Sequence, residues 1–221
     1  MTITPTALMR GTAVSAAAAG LIFIGVQINH PHLDVTSITS TEVVVRGSFK
    51  VLMATLALIG ITGMYLRQVK ESGVLGLLGY VTFGIGYLVI MATSFVAAFV
   101  LPSVAGTDPS YVSDVIAVSS GGTATGDVGL VGNAFQLQGI GFLAGGLVFG
   151  IALFRARVLA RWAAVLLAVG SVATLTLSML PDAFYRFLAF PNGIAMIGLG
   201  VSLWLATRST RLSVPEPAGV A

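Results

Sequence analysis

Long apolar runs separated by short polar links dominate the chain. Six such runs stand out, at about residues 8–29, 43–66, 74–101, 134–154, 162–180 and 188–206. About 20 consecutive apolar residues suffice for a helix to cross the hydrocarbon core of a bilayer. The pattern therefore predicts an all-α protein, a polytopic transmembrane bundle of about six helices filling residues 1–207 as a single domain. Pro191 and Asn192-Gly193 interrupt the short sixth run, so the last two runs read as a tight hairpin broken at Pro181-Asp182. Arg10 and the small residues Ala16 to Ala19 give the first run the look of a signal peptide. It continues through Leu21, Ile22, Phe23 and Val26, however, and reads as a retained first helix. Residues 208–221, with Pro215 and Pro217, read as a disordered cytoplasmic tail.

Composition narrows the class. Of the 221 residues, 56% are apolar and 9% are charged, where a soluble domain carries about 25% charged residues. So few charges cannot cover a water-facing surface, which leaves the lipid bilayer as the chain's main partner. There are no cysteines and two histidines. Thiolate sites, disulfides and cysteine nucleophiles are thereby excluded, and no metal or cofactor is expected. The net charge of +3 does not signal nucleic acid, because the basic residues sit in short clusters between apolar runs. Arg10, Arg67, Lys70, Arg155, Arg157, Arg161, Arg208 and Arg211 all fall on one side of the predicted bundle. The opposite links hold Asp34, Asp108, Asp114, Asp127 and Asp182. The positive-inside rule then predicts a multi-pass protein of the plasma membrane with both termini in the cytoplasm.

Candidate chemistry gathers at the outer helix ends. Gln27, Asn29, His30, His32 and Asp34 close the first run, and Asn133, Gln136 and Gln138 open the fourth. Glu42, Arg46 and Lys50 recur every four residues and share one helical face. Glu42 precedes Arg46 in the order that favours an ion pair. Lys50 lies two turns deeper, roughly 12 Å from Glu42, where an unpaired charge is costly, so this face is expected to line an interior cavity. His30-Pro31-His32 makes a poor chelate and reads as a polar helix end with a proline stop. Phe95, Phe99, Phe135 and Tyr185 cluster towards the same end and would suit an aromatic-lined pocket. The long 102–133 link, rich in Gly, Ser, Thr and Asp, reads as a mobile cover. It lacks the Gly-Lys-Ser/Thr of a phosphate-binding loop.

The stretches Gly25-Val26-Gln27-Ile28-Asn29-His30-Pro31, Gly60-Ile61-Thr62-Gly63-Met64-Tyr65-Leu66-Arg67-Gln68, Phe99-Val100-Leu101-Pro102 and Phe154-Arg155-Ala156-Arg157-Val158-Leu159-Ala160-Arg161-Trp162-Ala163 resemble a group of small actinobacterial polytopic membrane proteins. In size and helical density the chain also resembles the integral-membrane terpene cyclases of drimentine-type indole-sesquiterpenoid pathways, which belong to secondary metabolism. That resemblance implies an enzyme that protonates a prenyl (farnesyl-type) chain on a small-molecule acceptor and closes the cation into rings. The absence of Asp-Asp-x-x-Asp and Asp-x-Asp-Asp runs fits a reaction without metal or diphosphate loss. A lone carboxylic acid would then start the reaction. Asp34 ranks first as donor, for its hydrogen-bonding neighbours. Asp108 ranks second and Glu42 third, since pairing with Arg46 makes it a poorer acid. Gln27, His30, Arg46, Lys50, Phe95, Phe99, Phe135, Gln136 and Tyr185 are expected to bind the lipophilic prenylated substrate. A small-solute permease and a non-catalytic membrane subunit are the alternatives. No inverted repeat of the transporter kind is visible, and oligomeric state is left open.

Overall fold

The structure, a computed structural model, describes residues 4–177, 187 and 189–212, with the side chains of 174–177 and 209–212 excepted. It is all-helical among these residues. Helix α1 spans Pro5–Gly25, α2 Thr41–Arg67, α3 Val69–Phe95, α4 Leu101–Val104, α5 Pro109–Ser119, α6 Val131–Ala156, α7 Arg161–Leu177 and α8 Ala189–Leu212. Among the described residues five spans are long and apolar enough to cross a membrane: Pro5–Gly25, Thr41–Arg67, Val69–Val104, Val131–Ala156 and Ala189–Arg208. Helix α7 supplies only a shorter apolar stretch, Arg161–Ala173. It packs beside the five, between α6 and α8, so six helices build the bundle even though five meet the length for crossing.

The six long helices close a ring. α1 packs on α2, α2 on α3, α3 on α6, α6 on α7, α7 on α8, and α8 back on α1. The α3–α6 and α1–α8 seams are the most extensive, and both are built on small residues. A Cβ on Gly141 would stand 3.0 Å from the Cα of Gly86. One on Gly79 would stand 2.6 Å from the Cα of Phe149, and one on Gly200 would stand 2.7 Å from the carbonyl oxygen of Ala13. In lipid the hydrophobic effect does not draw helices together, so close backbone approach and dispersion supply the attraction. The ring's interior is filled. Phe83, Tyr87, Phe142 and Phe149 are buried along the α3–α6 seam, with Phe83 4.8 Å from Tyr87 and 5.4 Å from Phe142 between ring centroids. Met53, Met64, Met196, Leu167 and Leu199 occupy the rest.

One end of the ring is basic. Arg10 and Arg208 lie over the Trp204 ring, and Arg161 over Phe154. The other end carries a second small core, in which Ile38, Val43, Leu101, Ala105, Val112 and Val115 are buried together. This core corrects the expectation of a mobile cover over 102–133. Residues 109–119 form the amphipathic α5, which buries Val112, Asp114 and Val115. Pro102 shapes the approach to it. Proline lacks an N–H and its ring crowds the carbonyl four residues earlier. The helix widens there into a π turn over Val96–Val100, and Gly47 of α2 admits the displaced Ala98.

Candidate functional site

The site is built where α1 ends and α2 begins. α1 gives way at Val26, and Asn29 takes a left-handed φ of 50°, leaving the carbonyls of the last turn and the loop to be satisfied from outside. Arg46 satisfies them. Its Nη1 donates to the carbonyls of Val26 (3.1 Å) and Ile28 (2.9 Å), and its Nη2 to that of Asn29 (3.2 Å). Nε donates to Glu42 Oε1 at 3.0 Å, and Nη2 lies 2.8 Å from the same oxygen. Four of the five N–H groups of the guanidinium therefore donate to an acceptor, and the ion pair with Glu42 flanks the fifth. Lys50, one turn further, reaches back to the same loop. Its Nζ stands 3.1 Å from His30 Nε2, while His30 Nδ1 lies 2.8 Å from the Pro31 carbonyl. The carbonyl can only accept, so Nδ1–H donates to it and Nε2 is the acceptor for the Lys50 ammonium.

A groove of about 540 Å³ opens sideways between the two helices, lined by Ile22, Gly25, Val26, Thr41, Glu42, Val45, Arg46 and Phe49. Its volume lies within the ~300–1,000 Å³ usual for small-molecule sites. The expected face of α2 is thus only partly assembled. Glu42 and Arg46 pair and line the groove, whereas Lys50 is turned to His30 and is not part of the lining. The groove also lies at the flank of the bundle, not in its interior.

The acids hold turns. Asp34 Oδ1 accepts from the backbone N–H groups of Ser37 (2.7 Å) and Thr36 (2.8 Å). The Ser37 bond leads the effects that hold its carboxyl below the usual value. Asp108 caps α5, accepting from the Ser110 hydroxyl (2.7 Å) and the Tyr111 N–H (3.0 Å), and is lowered by them in that order. Both are exposed. Asp114, 8% exposed, accepts from the N–H groups of Thr125 (2.9 Å) and Gly126 (2.8 Å) and from the Thr125 hydroxyl. These bonds, Thr125 first, lower it as well. A carboxyl stabilised as its anion is a poor proton donor, which counts against Asp34 and Asp108; Glu42, itself paired with Arg46, is set apart from them only by its place in the groove. Glu42 is the carboxylate of the three that lines the groove.

The aromatic pocket does not form as expected. Phe95 and Phe99 pack against each other with ring centroids 5.0 Å apart and planes tilted by 49°, and are about half exposed on the flank of the bundle. Phe135 packs against the second core, Gln136 is exposed and Gln27 is half-buried at the end of α1. Tyr185, like Asp182 and Arg186, lies outside the described residues. What sequence reasoning missed was the pairing of partners remote in the chain: the Arg46 clasp, the Asp114 pin and the buried Asn192, whose Oδ1 lies 3.3 Å from Ser171 Oγ. A left-handed Asn29 ahead of a proline was the one available hint of exposed carbonyls. Among the described residues no cluster of three or more His, Cys, Asp or Glu is placed to hold a metal.

Comparison with protein-family models, with characterised proteins and with solved structures returns no match. The functional reading therefore stands on this geometry.

Proposed function

We propose that the protein is a membrane-embedded cyclase that protonates and cyclises the prenyl chain of a lipophilic small molecule, without metal and without diphosphate loss. The observation that supports this reading is the α1–α2 groove: apolar walls, a lateral opening, and a single carboxylic acid, Glu42, in its lining. A substrate dissolved in the bilayer reaches such a groove without crossing water. Glu42, protonated from the aqueous side where its side chain is 55% exposed, would transfer a proton to the terminal alkene carbon. The resulting tertiary cation is attacked by the next double bond, closing a ring. Loss of a proton from a neighbouring carbon to the Glu42 carboxylate ends the sequence, so the product is an isomer of the substrate. Phe49, on the same face of α2, offers a ring to the developing cation, and the apolar walls keep out the water that would quench it. On cation asymmetry we place the basic end and both termini in the cytoplasm, in the plasma membrane, with the groove's Glu42 end on the far face.

The test is to incubate membranes bearing the protein with farnesylated indole compounds and seek isomers of unchanged mass. Product should form with the wild type, Asp34→Asn and Asp108→Asn, and fall at least roughly a hundredfold with Glu42→Gln, the scale of a general acid's contribution. Full product from Glu42→Gln, or none from well-expressed wild type, would overturn the proposal. One observation favours a second reading, a non-catalytic membrane subunit: among the described residues, every acid at this end already has a structural partner. The failed outcome of the experiment would move the assignment there. The filled interior of the ring gives a permease no comparable support.

A further inference from the structure

We infer that the α1–α2 groove selects its ligands by charge: it accepts lipophilic molecules whose polar end is cationic or neutral and rejects those whose polar end is anionic, prenyl diphosphates and fatty carboxylates included. The inference rests on the groove being the ligand site, as above, but not on the catalytic step.

Arg46 is the only cation in the lining, and a guanidinium in an apolar groove ordinarily marks an anion site. Here its donors are already engaged. Three of its N–H groups hold the carbonyls of Val26, Ile28 and Asn29, Nε–H holds Glu42 Oε1, and Nη2 also lies 2.8 Å from that oxygen in the ion pair. An incoming anion could engage Arg46 only by displacing Glu42 or by stripping those carbonyls of their donor. The first brings two anions together and the second leaves backbone acceptors unpaired, and either loss offsets what the new bond contributes. Glu42 is the opposite case. Both contacts from Arg46 end on Oε1, and among the described residues none reaches Oε2. The charge that the groove offers a ligand is therefore a carboxylate oxygen at its mouth. Glu42, Val45 and Phe49 follow at helical spacing along one wall, so the carboxylate and the Phe49 ring bound an apolar stretch roughly 10 Å long. Gly25 opens the facing wall: a Cβ there would meet nothing within 4 Å.

The experiment uses the full chain in lipid nanodiscs at neutral pH, with empty nanodiscs subtracted, and three probes of one chain length: farnesylamine, farnesol and farnesoic acid. Farnesylamine should bind tighter than farnesoic acid by on the order of tenfold, one well-placed charged hydrogen bond's worth. Glu42→Gln should erase that difference while keeping farnesol binding, and Gly25→Leu, which adds bulk to the groove wall at a position where a Cβ meets nothing within 4 Å, should weaken all three. Farnesoic acid or farnesyl diphosphate binding as tightly as the amine would overturn the inference, as would an unchanged preference in Glu42→Gln. Should Glu42→Gln lose farnesol too, the wild-type ratio decides alone. Charge preference with no cyclised product would sink the catalytic reading and leave this one standing. Cyclised product with no charge preference would do the reverse.

Discussion

At the scale of single residues, this end of the protein is organised by side chains that satisfy distant backbone groups. Arg46 is the clearest. Removing it leaves three carbonyls of the α1 end without a donor and Glu42 without a partner. Arg46→Ala should cost about 2–3 kcal/mol, the scale of a charge-assisted bond lost with its partners left unpaired. Arg46→Lys should recover only part, because an ammonium keeps the charge but not the planar fork. Unfolding in mixed micelles would measure both, and equal stability of wild type and Arg46→Ala would contradict the clasp. Asp114 makes the second residue-scale prediction. Its carboxylate serves two N–H groups and a hydroxyl from 11–12 residues away. In Asp114→Asn the amide NH2 must face one of those donors, so the 121–127 segment should exchange its amide hydrogens faster while the bundle does not. Acid should act likewise. Asp34, Asp108 and Asp114 are all lowered from an ordinary value of 3.8. Their contribution is complete above that value and is lost as the pH falls through their lowered folded values. Protection from hydrogen exchange at the acidic end, corrected for the intrinsic rate at each pH, should therefore hold above the ordinary carboxylate value of 3.8 and fall only below it.

At the scale of elements, the seams decide stability. Along α3 and α6 the glycines bring backbones so close that no side chain fits. A Cβ on Gly145 would fall on the Phe83 backbone. Gly145→Leu should thus force the helices apart and cost about 1–3 kcal/mol or more. Gly11 and Gly139, where a Cβ would meet nothing within 4 Å, should accept alanine with no loss, since alanine favours helix over glycine. A comparison of thermal stability across the three variants tests whether close approach, rather than glycine content, holds the ring. Helix α5 belongs to the same scale. Asp108 caps it and Pro109 sits at its first turn, so local signals start the helix. Its burial against Ile38, Leu101 and Ala105 turns a long polar link into part of the fold.

For the whole molecule, the ring puts the α2–α3 corner, the α6–α7 turn and the α8 end together at the basic end. The loop after α1 and the α5 cap lie at the other. Reporter fusions after Lys70 and Arg157 should share one side of the membrane, and a fusion near Asp114 should lie on the opposite side. A cytoplasmic signal from the Asp114 fusion would overturn the proposed orientation, since the cation asymmetry admits no other placement of this ring.

The linear chain determined a good deal: an all-helical bundle, close helix positions, and the separation of a basic from an acidic end. These follow from hydropathy summed over about 20 residues and from charge in short links, both of which are local. The third apolar run starts at residue 74, just past the non-helical Gly73 that breaks α3 near its start at Val69. The Glu42–Arg46 pair was legible for the same reason, being one helical turn apart. Which way each apolar side chain faces was not. In a soluble helix the polar stripe marks the outside, but in lipid both faces are apolar, so Phe95 and Phe99 look no different in sequence from Phe83 and Phe142. Only packing between helices put the first pair on the flank and the second pair in the core. The same holds for the site. Arg46 finds the carbonyls of the α1 end, Lys50 finds His30, and Asp114 finds Thr125 only when the chain has folded back. That closure, and no local rule, turned the acids into fasteners and left one carboxylate in a groove.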